Sequence, residues 1–263
     1  RVAVLDTGVN ADHPDLLGHC VPGFDAIEPG GPADDLPAAP EGEVSIFGVA
    51  DAGTGHGTMI AGIIAIMAPR ARIVPVRVLS ADGTGTEADV VEGIYWAIRH
   101  GADVINMSFG SPSSSPAIEA AIKAARRAGV VLVASAGNEG NDLPHCPASL
   151  HGVLSVASVE ADNTKSAYSS YGPSVALVSP GTGIRSTYWD GGYATWSGTS
   201  FSAAFVSGAA ALLCEVMPGN RDAKAGKVLT KTATSVDDVN PDFAGLLGAG
   251  LLNTEKAVRK VAD

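Results

Sequence analysis

Six short apolar runs punctuate the chain, at residues 2–5, 73–79, 104–108, 130–134, 153–159 and 175–178, and turn-forming residues follow them. Runs of this length bounded by such residues predict buried strands. Between and after them come longer stretches with helical character. Residues 87–100 are amphipathic and end near Gly101. Residues 116–128 open on Pro116 and carry Lys123, Arg126 and Arg127 near their end, with Gly129 beyond, which matches the polarity and the stop signal of a helix. Residues 59–67 and 205–213 are apolar all round and predict buried helices. Residues 222–232 and 253–261 also read as helical. Strands that alternate with helices predict an α/β fold of three layers, with a mostly parallel central sheet and helices on both faces. No internal repeat, low-complexity tract or linker interrupts the pattern, so residues 1–263 read as one domain.

Composition supports a sizeable core. The chain has 263 residues, is 46% hydrophobic, and contains 32 Gly and 16 Pro for turns. No uninterrupted apolar run reaches the roughly 18 residues that span a bilayer. No signal peptide is visible and the first residue is Arg1, which is expected of a processed or excised chain. Three cysteines, Cys20, Cys146 and Cys214, allow at most one internal disulfide.

Charge is unevenly placed. Residues 2–69 hold ten acids and no Lys or Arg, while the remainder carries 18 acids against 17 bases, so the net charge of −11 comes from the first quarter. Nucleic-acid binding needs a basic footprint and is not expected. Residues 22–54 are rich in Pro, Gly and acids, with an apolar patch at residues 44–49, and read as a long surface loop carrying at most a small hairpin. Seven acids lie in it: Asp25, Glu28, Asp34, Asp35, Glu41, Glu43 and Asp51. Either they are simply solvated, or their field steers basic substrate segments toward the site. A cation site there lacks the order of a calcium loop.

Four places carry candidate chemistry. The first strand ends in Asp6-Thr7-Gly8, where open parallel sheets place ligands, beyond their carboxyl ends. A turn aspartate accounts for it as well. Aspartic peptidases share Asp-Thr-Gly but need two such carboxylates, and no second one is present. His56 opens the 59–67 helix between Gly55 and Gly57. It can accept a proton near neutral pH, or serve only as a hydrogen-bonded helix start. Asn138 stands on the glycine-rich turn after the fourth strand, as an amide donor or a structural turn residue. Ser200 falls at the N-terminus of the 205–213 helix. It reads alone as an N-cap, or as a hydroxyl held where helix N–H groups favour negative charge. His19-Cys20 and His145-Cys146 lack recognised metal-ligand spacing, so no metal site is expected.

Val4-Leu5-Asp6-Thr7-Gly8-Val9 with His13-Pro14-Asp15-Leu16, Gly55-His56-Gly57-Thr58, Ala134 to Gly140 and Ser197-Gly198-Thr199-Ser200 together resemble the subtilases, the subtilisin-like serine peptidases. The order Asp, His, Ser is that of subtilisin and not of α/β-hydrolases. The resemblance implies a serine endopeptidase with Ser200 as nucleophile, His56 as general base, Asp6 orienting it, and the Asn138 amide with the Ser200 N–H as oxyanion hole. It implies a polypeptide substrate paired along Ser108, Phe109 and Gly110. The P1 side chain would enter a slot between residues 108–111 and 134–137, bounded by Ser108, Ser111, Ala136 and Gly137, with Glu139 near its base. Trp196 is expected to wall the leaving-group side or to pack in the core. Larger apolar P1 residues, with Lys tolerated through Glu139, are the expected preference. A pro-peptide partner and an extracellular or exported location also follow from the resemblance. So does the alternative of a catalytically impaired peptide-binding module.

The chain departs from the family pattern in several places. Phe201, Ser202 and Ala204 stand where Met, Ala and Pro are usual, and Phe201 is expected to narrow the site. Met59 replaces a usual His. Residues 60–69 are shorter than usual, without the loop that binds calcium in many members. No cofactor is expected for catalysis, and a structural calcium ion, the one ion the resemblance raises, is argued against by these departures.

Overall fold

The period-two alternation of the short apolar runs sorts their side chains into two cores. In β1 (Val2–Asp6), Val2 and Val4 face one cluster while Ala3 and Leu5 face another, and all five residues are buried. The computed structural model describes residues 1–38, 51–217 and 221–262. Glu41, Glu43 and the apolar patch at residues 44–49 lie outside the described residues.

Seven strands form one sheet: β1, β2 (Phe24–Asp25), β3 (Ile73–Arg77), β4 (Val104–Met107), β5 (Val131–Ser135), β6 (Val153–Val159) and β7 (Val175–Pro180). Their spatial order is β2-β3-β1-β4-β5-β6-β7, with every pair parallel. The helices are α1 (His56–Met67), α2 (Glu87–Arg99), α3 (Pro116–Arg127), α4 (Thr199–Val216), α5 (Arg221–Thr232) and α6 (Thr254–Ala262). Residues of α1, α4, α5 and α6 share one core cluster, and those of α2 and α3 share the other. This is the three-layer α/β fold that the alternating pattern predicts.

Local chemistry sets the ends of the elements. Helix α2 starts at a reciprocal Thr86–Asp89 capping box, and α3 at Ser115 with Pro116 behind it. The third strand is shorter than its apolar run: the N–H groups of Val78 and Leu79 both donate to the Asp6 carbonyl, at 2.9 and 3.1 Å, which turns the chain over the end of β1. Helix α4 has the length and mean hydropathy (1.5) of a membrane span, but 72% of it is buried inside the fold, so it is the core helix. No disulfide joins cysteines among the described residues.

Two features differ from the sequence expectation. Two-residue β2 lies within the acidic loop and extends the sheet beyond β3. An antiparallel hairpin, β8 (Ile184–Thr187) and β9 (Tyr193–Trp196), lies outside the main sheet. Its strand β8 rests on α1: the Ser186 and Thr187 hydroxyls donate to the Met59 and Thr58 carbonyls, both at 2.7 Å. Gly62 makes this approach feasible, since a Cβ there would sit 2.3 Å from Thr187 Oγ1 and 2.5 Å from Ser186 Oγ.

In an exposed helix, Gly→Ala stabilises by up to ~1 kcal/mol. At Gly62 the clash and the two displaced hydroxyls outweigh that gain, since overpacking costs ~1–3 kcal/mol. Gly62→Ala is expected to lower the midpoint of urea unfolding, and an unchanged or raised midpoint would contradict the packing described.

Candidate active site

The sheet order reverses direction at β1. The chain passes from β1 to β3 on one side and then crosses to β4 on the other. Ligands bind at such a switch point, beyond the carboxyl ends of the strands. Asp6 closes β1, and Ser108 follows β4. Helices α1 and α4 pack on the same face and bring their N-termini to this point, carrying His56 and Ser200. Gly57 permits the entry of α1, because a Cβ there would lie 2.1 Å from the Gly8 carbonyl oxygen.

Asp6 is fully buried, and its Oδ1 lies 2.7 Å from His56 Nδ1 and accepts from the Thr7 N–H at 2.8 Å. An ionised carboxylate only accepts, so Nδ1 carries the ring proton and Nε2 of the neutral ring keeps its lone pair. The His56 ring lies edge-on to Phe201, with centroids 5.8 Å apart, and 6.2 Å from the Trp196 ring.

Ser200 is buried, and its Oγ donates to the Ser108 carbonyl at 3.0 Å. No hydrogen bond between Ser200 and His56 is present among the described residues. The Ser108 hydroxyl lies 2.9 Å from Asn106 Oδ1 and 3.1 Å from the Ser200 carbonyl, which share its one proton, while Asn106 Nδ2 donates to Ser207 Oγ, so three buried polar side chains lash α4 to β4. Gly198 gives α4 no side-chain cap and its first turn has no acid, so no charge within the helix offsets its positive pole. Asn138 Oδ1 accepts from the Thr199 N–H at 2.9 Å and the Thr199 hydroxyl at 3.0 Å, so its Nδ2 is the donor left for a ligand.

His56, Ser200 and Asn138 line one cleft of about 340 Å³. Of the residues expected to touch substrate, Ser108, Phe109, Gly110, Gly137, Glu139 and Trp196 line it. Ala136 is buried behind it, and Ser111 is exposed, its backbone paired with Cys146 at 2.9 and 2.8 Å. Phe201 does not narrow the cleft: it is buried in the core and backs His56 instead. Asp82, Gly83 and His145 also line the cleft, and the sequence reading missed them. The His145 ring lies against Gly110, and its Nδ1 is buried without a partner among the described residues. Its place after a polar turn gave no sequence signal beyond the residue type.

Residues 1–250 match the Subtilase family of peptidases. Subtilisin BL of Lederbergia lenta is 35% identical over 98% of this chain and 90% of its own length. Thermitase of Thermoactinomyces vulgaris is 36% identical over 98% of this chain and 88% of its own. Among solved structures, a protease of Pseudoalteromonas arctica superposes with a TM-score of 0.86 at 31% identity, covering 99% of this chain and 89% of that one. The chain belongs to the subtilase family. It is a subtilisin-like serine endopeptidase, a hydrolase with a polypeptide substrate.

Burial alone would lower the pKa of His56. The charge of Asp6, its hydrogen bond and the charge of Asp35 outweigh burial, and the net shift is upward. A folded-state value above the unfolded one, near 6.5, means tighter proton binding in the fold. That contribution to stability is complete below the unfolded value and is lost as pH rises through the raised folded value. We expect the NMR titration of His56 Cε1 to have its midpoint above about 6.5 and Asp6→Asn to lower it. A parent midpoint at or below about 6.5, the value of an unperturbed histidine, would refute the assignment.

Proposed function

We propose that this chain cleaves peptide bonds through Asp6, His56 and Ser200, with Asn138 Nδ2 and the Ser200 N–H as the oxyanion hole and the whole chain acting as one catalytic domain. The observation that carries the reading is the 2.7 Å contact of His56 with buried Asp6, in a cleft that Ser200 and Asn138 share. In the reaction Ser200 Oγ exchanges its hydrogen bond to the Ser108 carbonyl for one to His56 Nε2. Hydrogen bonds of this kind often tighten only with substrate bound. A peptide laid along Ser108 to Gly110 adds a strand to this edge, and its own N–H can take over the Ser108 carbonyl.

The chemistry then follows in two halves. Ser200 Oγ attacks the scissile carbonyl carbon as its proton moves to His56 Nε2. The oxyanion forms against Asn138 Nδ2 and the positive pole of α4. Subtilisin itself is the reference case for such an asparagine, whose loss costs roughly 10²–10³ in turnover. The tetrahedral species expels the amine, which takes the proton from His56 and leaves an acyl-Ser200. Water then adds to the acyl carbon as its proton passes to His56, and the acid leaves as His56 returns that proton to Ser200 Oγ. Asp6 holds the ring tautomer and stabilises the imidazolium throughout.

The P1 slot between Gly110 and Gly137 takes larger apolar side chains and tolerates Lys through Glu139. The His145 ring at Gly110 limits its depth. No step calls for a metal. An extracellular location and a pro-peptide partner belong to the same reading, on family grounds.

Ser200→Ala is expected to abolish hydrolysis, leaving only the residual ~10³-fold over water that broken triads retain. A fluorophosphonate is expected to label Ser200 in the parent. A folded parent that is neither labelled nor active would instead be a peptide-binding module. In a peptide series, Glu139→Gln is expected to lower kcat/KM for Lys at P1 relative to Leu by only about threefold, because Glu139 is exposed and solvent screens its charge. A Lys preference untouched by that change would remove Glu139 from the slot.

A further inference from the structure

The acid-rich stretch between β1 and α1 reads in sequence as a solvated loop, yet Asp35 within it is only 1% exposed. A carboxylate so far from water needs strong donors. Asp35 has four. Its Oδ1 accepts from the Thr7 hydroxyl at 3.1 Å and the Gly55 N–H at 2.8 Å. Its Oδ2 accepts from the N–H and the hydroxyl of Thr58, at 3.0 and 2.6 Å. The Thr7 hydroxyl oxygen accepts in turn from the Gly57 N–H at 3.1 Å.

These bonds join the end of β1 to the start of α1. Helix α1 has no cap of its own: its N-cap is Gly55 and its first turn holds no acid. Its orphan N–H groups would otherwise be buried without partners. Asp35, 20 residues before Gly55, supplies the acceptors and the negative charge that the start of a helix favours. Thr7 follows Asp6, and Gly55 precedes His56. One carboxylate therefore fixes the backbone on both sides of the Asp6–His56 contact.

We propose that Asp35 is a positioning residue of the active site: it sets the register of His56 against Asp6 and adds a second buried carboxylate at the start of the helix that carries His56. This rests on the role of His56 as general base given above. The other ionisable groups of the cleft are Asp82, Glu139 and His145. Asp82 is held by Ser80 and Thr84, and Glu139 by Ser170. The charges that act on His56 are those of Asp6 and Asp35.

Asp35→Asn keeps the shape, removes the charge, and turns an NH₂ toward two donors. The acid limb of kcat/KM is expected to move to lower pH, because one of the charges that favour the imidazolium is gone. The His56 NMR titration is expected to move the same way. Turnover is expected to fall on the order of tenfold to hundredfold with KM little changed, as for a misplaced catalytic group. An acid limb and an NMR midpoint that stay in place, whatever the loss of thermal stability, overturn the proposal. Should Asp35→Asn not fold, the pair Thr58→Val and Thr58→Ser decides. Val is expected to lower kcat and Ser to restore it, while parent kcat in Thr58→Val, or no recovery in Thr58→Ser, overturns the proposal. Fluorophosphonate labelling of the parent keeps the two readings apart. If the parent is inert, the peptidase reading fails, and the NMR midpoint in Asp35→Asn still decides whether Asp35 acts on His56.

Discussion

Two carboxylates, Asp6 and Asp35, are buried at the start of α1, and the site depends on holding both there. Water is excluded from each, so each needs donors from the protein. Burial raises the Asp35 pKa, with the charge of Asp6 adding to it, while the donors of Thr58 and Gly55 pull it back. Those donors come from the turn of helix that carries His56. The same N–H groups that need acceptors thus supply the carboxylate with partners. The arrangement satisfies both and leaves one buried oxygen, Asp6 Oδ2, unpartnered among the described residues.

The second helix terminus solves the opposite problem. At α4 no acid offsets the dipole, the side-chain acceptor at its first N–H is the neutral Asn138 amide, and the polar side chains of Asn106, Ser108 and Ser207 hold the helix against β4. A pole met by a carboxylate thus stands beside His56, and one met only by a neutral amide beside Ser200. That asymmetry suits a reaction in which positive charge grows on His56 and negative charge on the attacked carbonyl.

The strands and helices were legible because each apolar run has the length and period of one element, and the four motif blocks stood out because they close strands or open helices. The rest was hidden for specific reasons. Two-residue β2 is too short to show a period. The β8–β9 hairpin does carry an Asp190-Gly191-Gly192 turn signal, but its strands alternate weakly, since β9 is half exposed along its length. Asp25 and Asp35 looked like solvated loop acids. Both are buried instead, Asp25 with Arg77 at 2.8 Å and Asp35 among neutral donors. Partners this far along the chain leave no local trace. His145 was weighed only as a metal ligand, and nothing around it in sequence points toward Gly110.

The place of β1 in the middle of the sheet has a consequence for how the chain comes to life. His56 and Asp6 are 50 residues apart, and Ser200 meets Ser108 across 92. Helix α4, which closes one core and brings in Ser200, is made only after all seven strands of the main sheet. At typical rates of synthesis it follows β1 by on the order of tens of seconds. Contacts of such long range form late and slowly. The nascent chain therefore cannot bring Asp6, His56 and Ser200 together while it is most open to being cut, and joins them only when its own strands are out of reach.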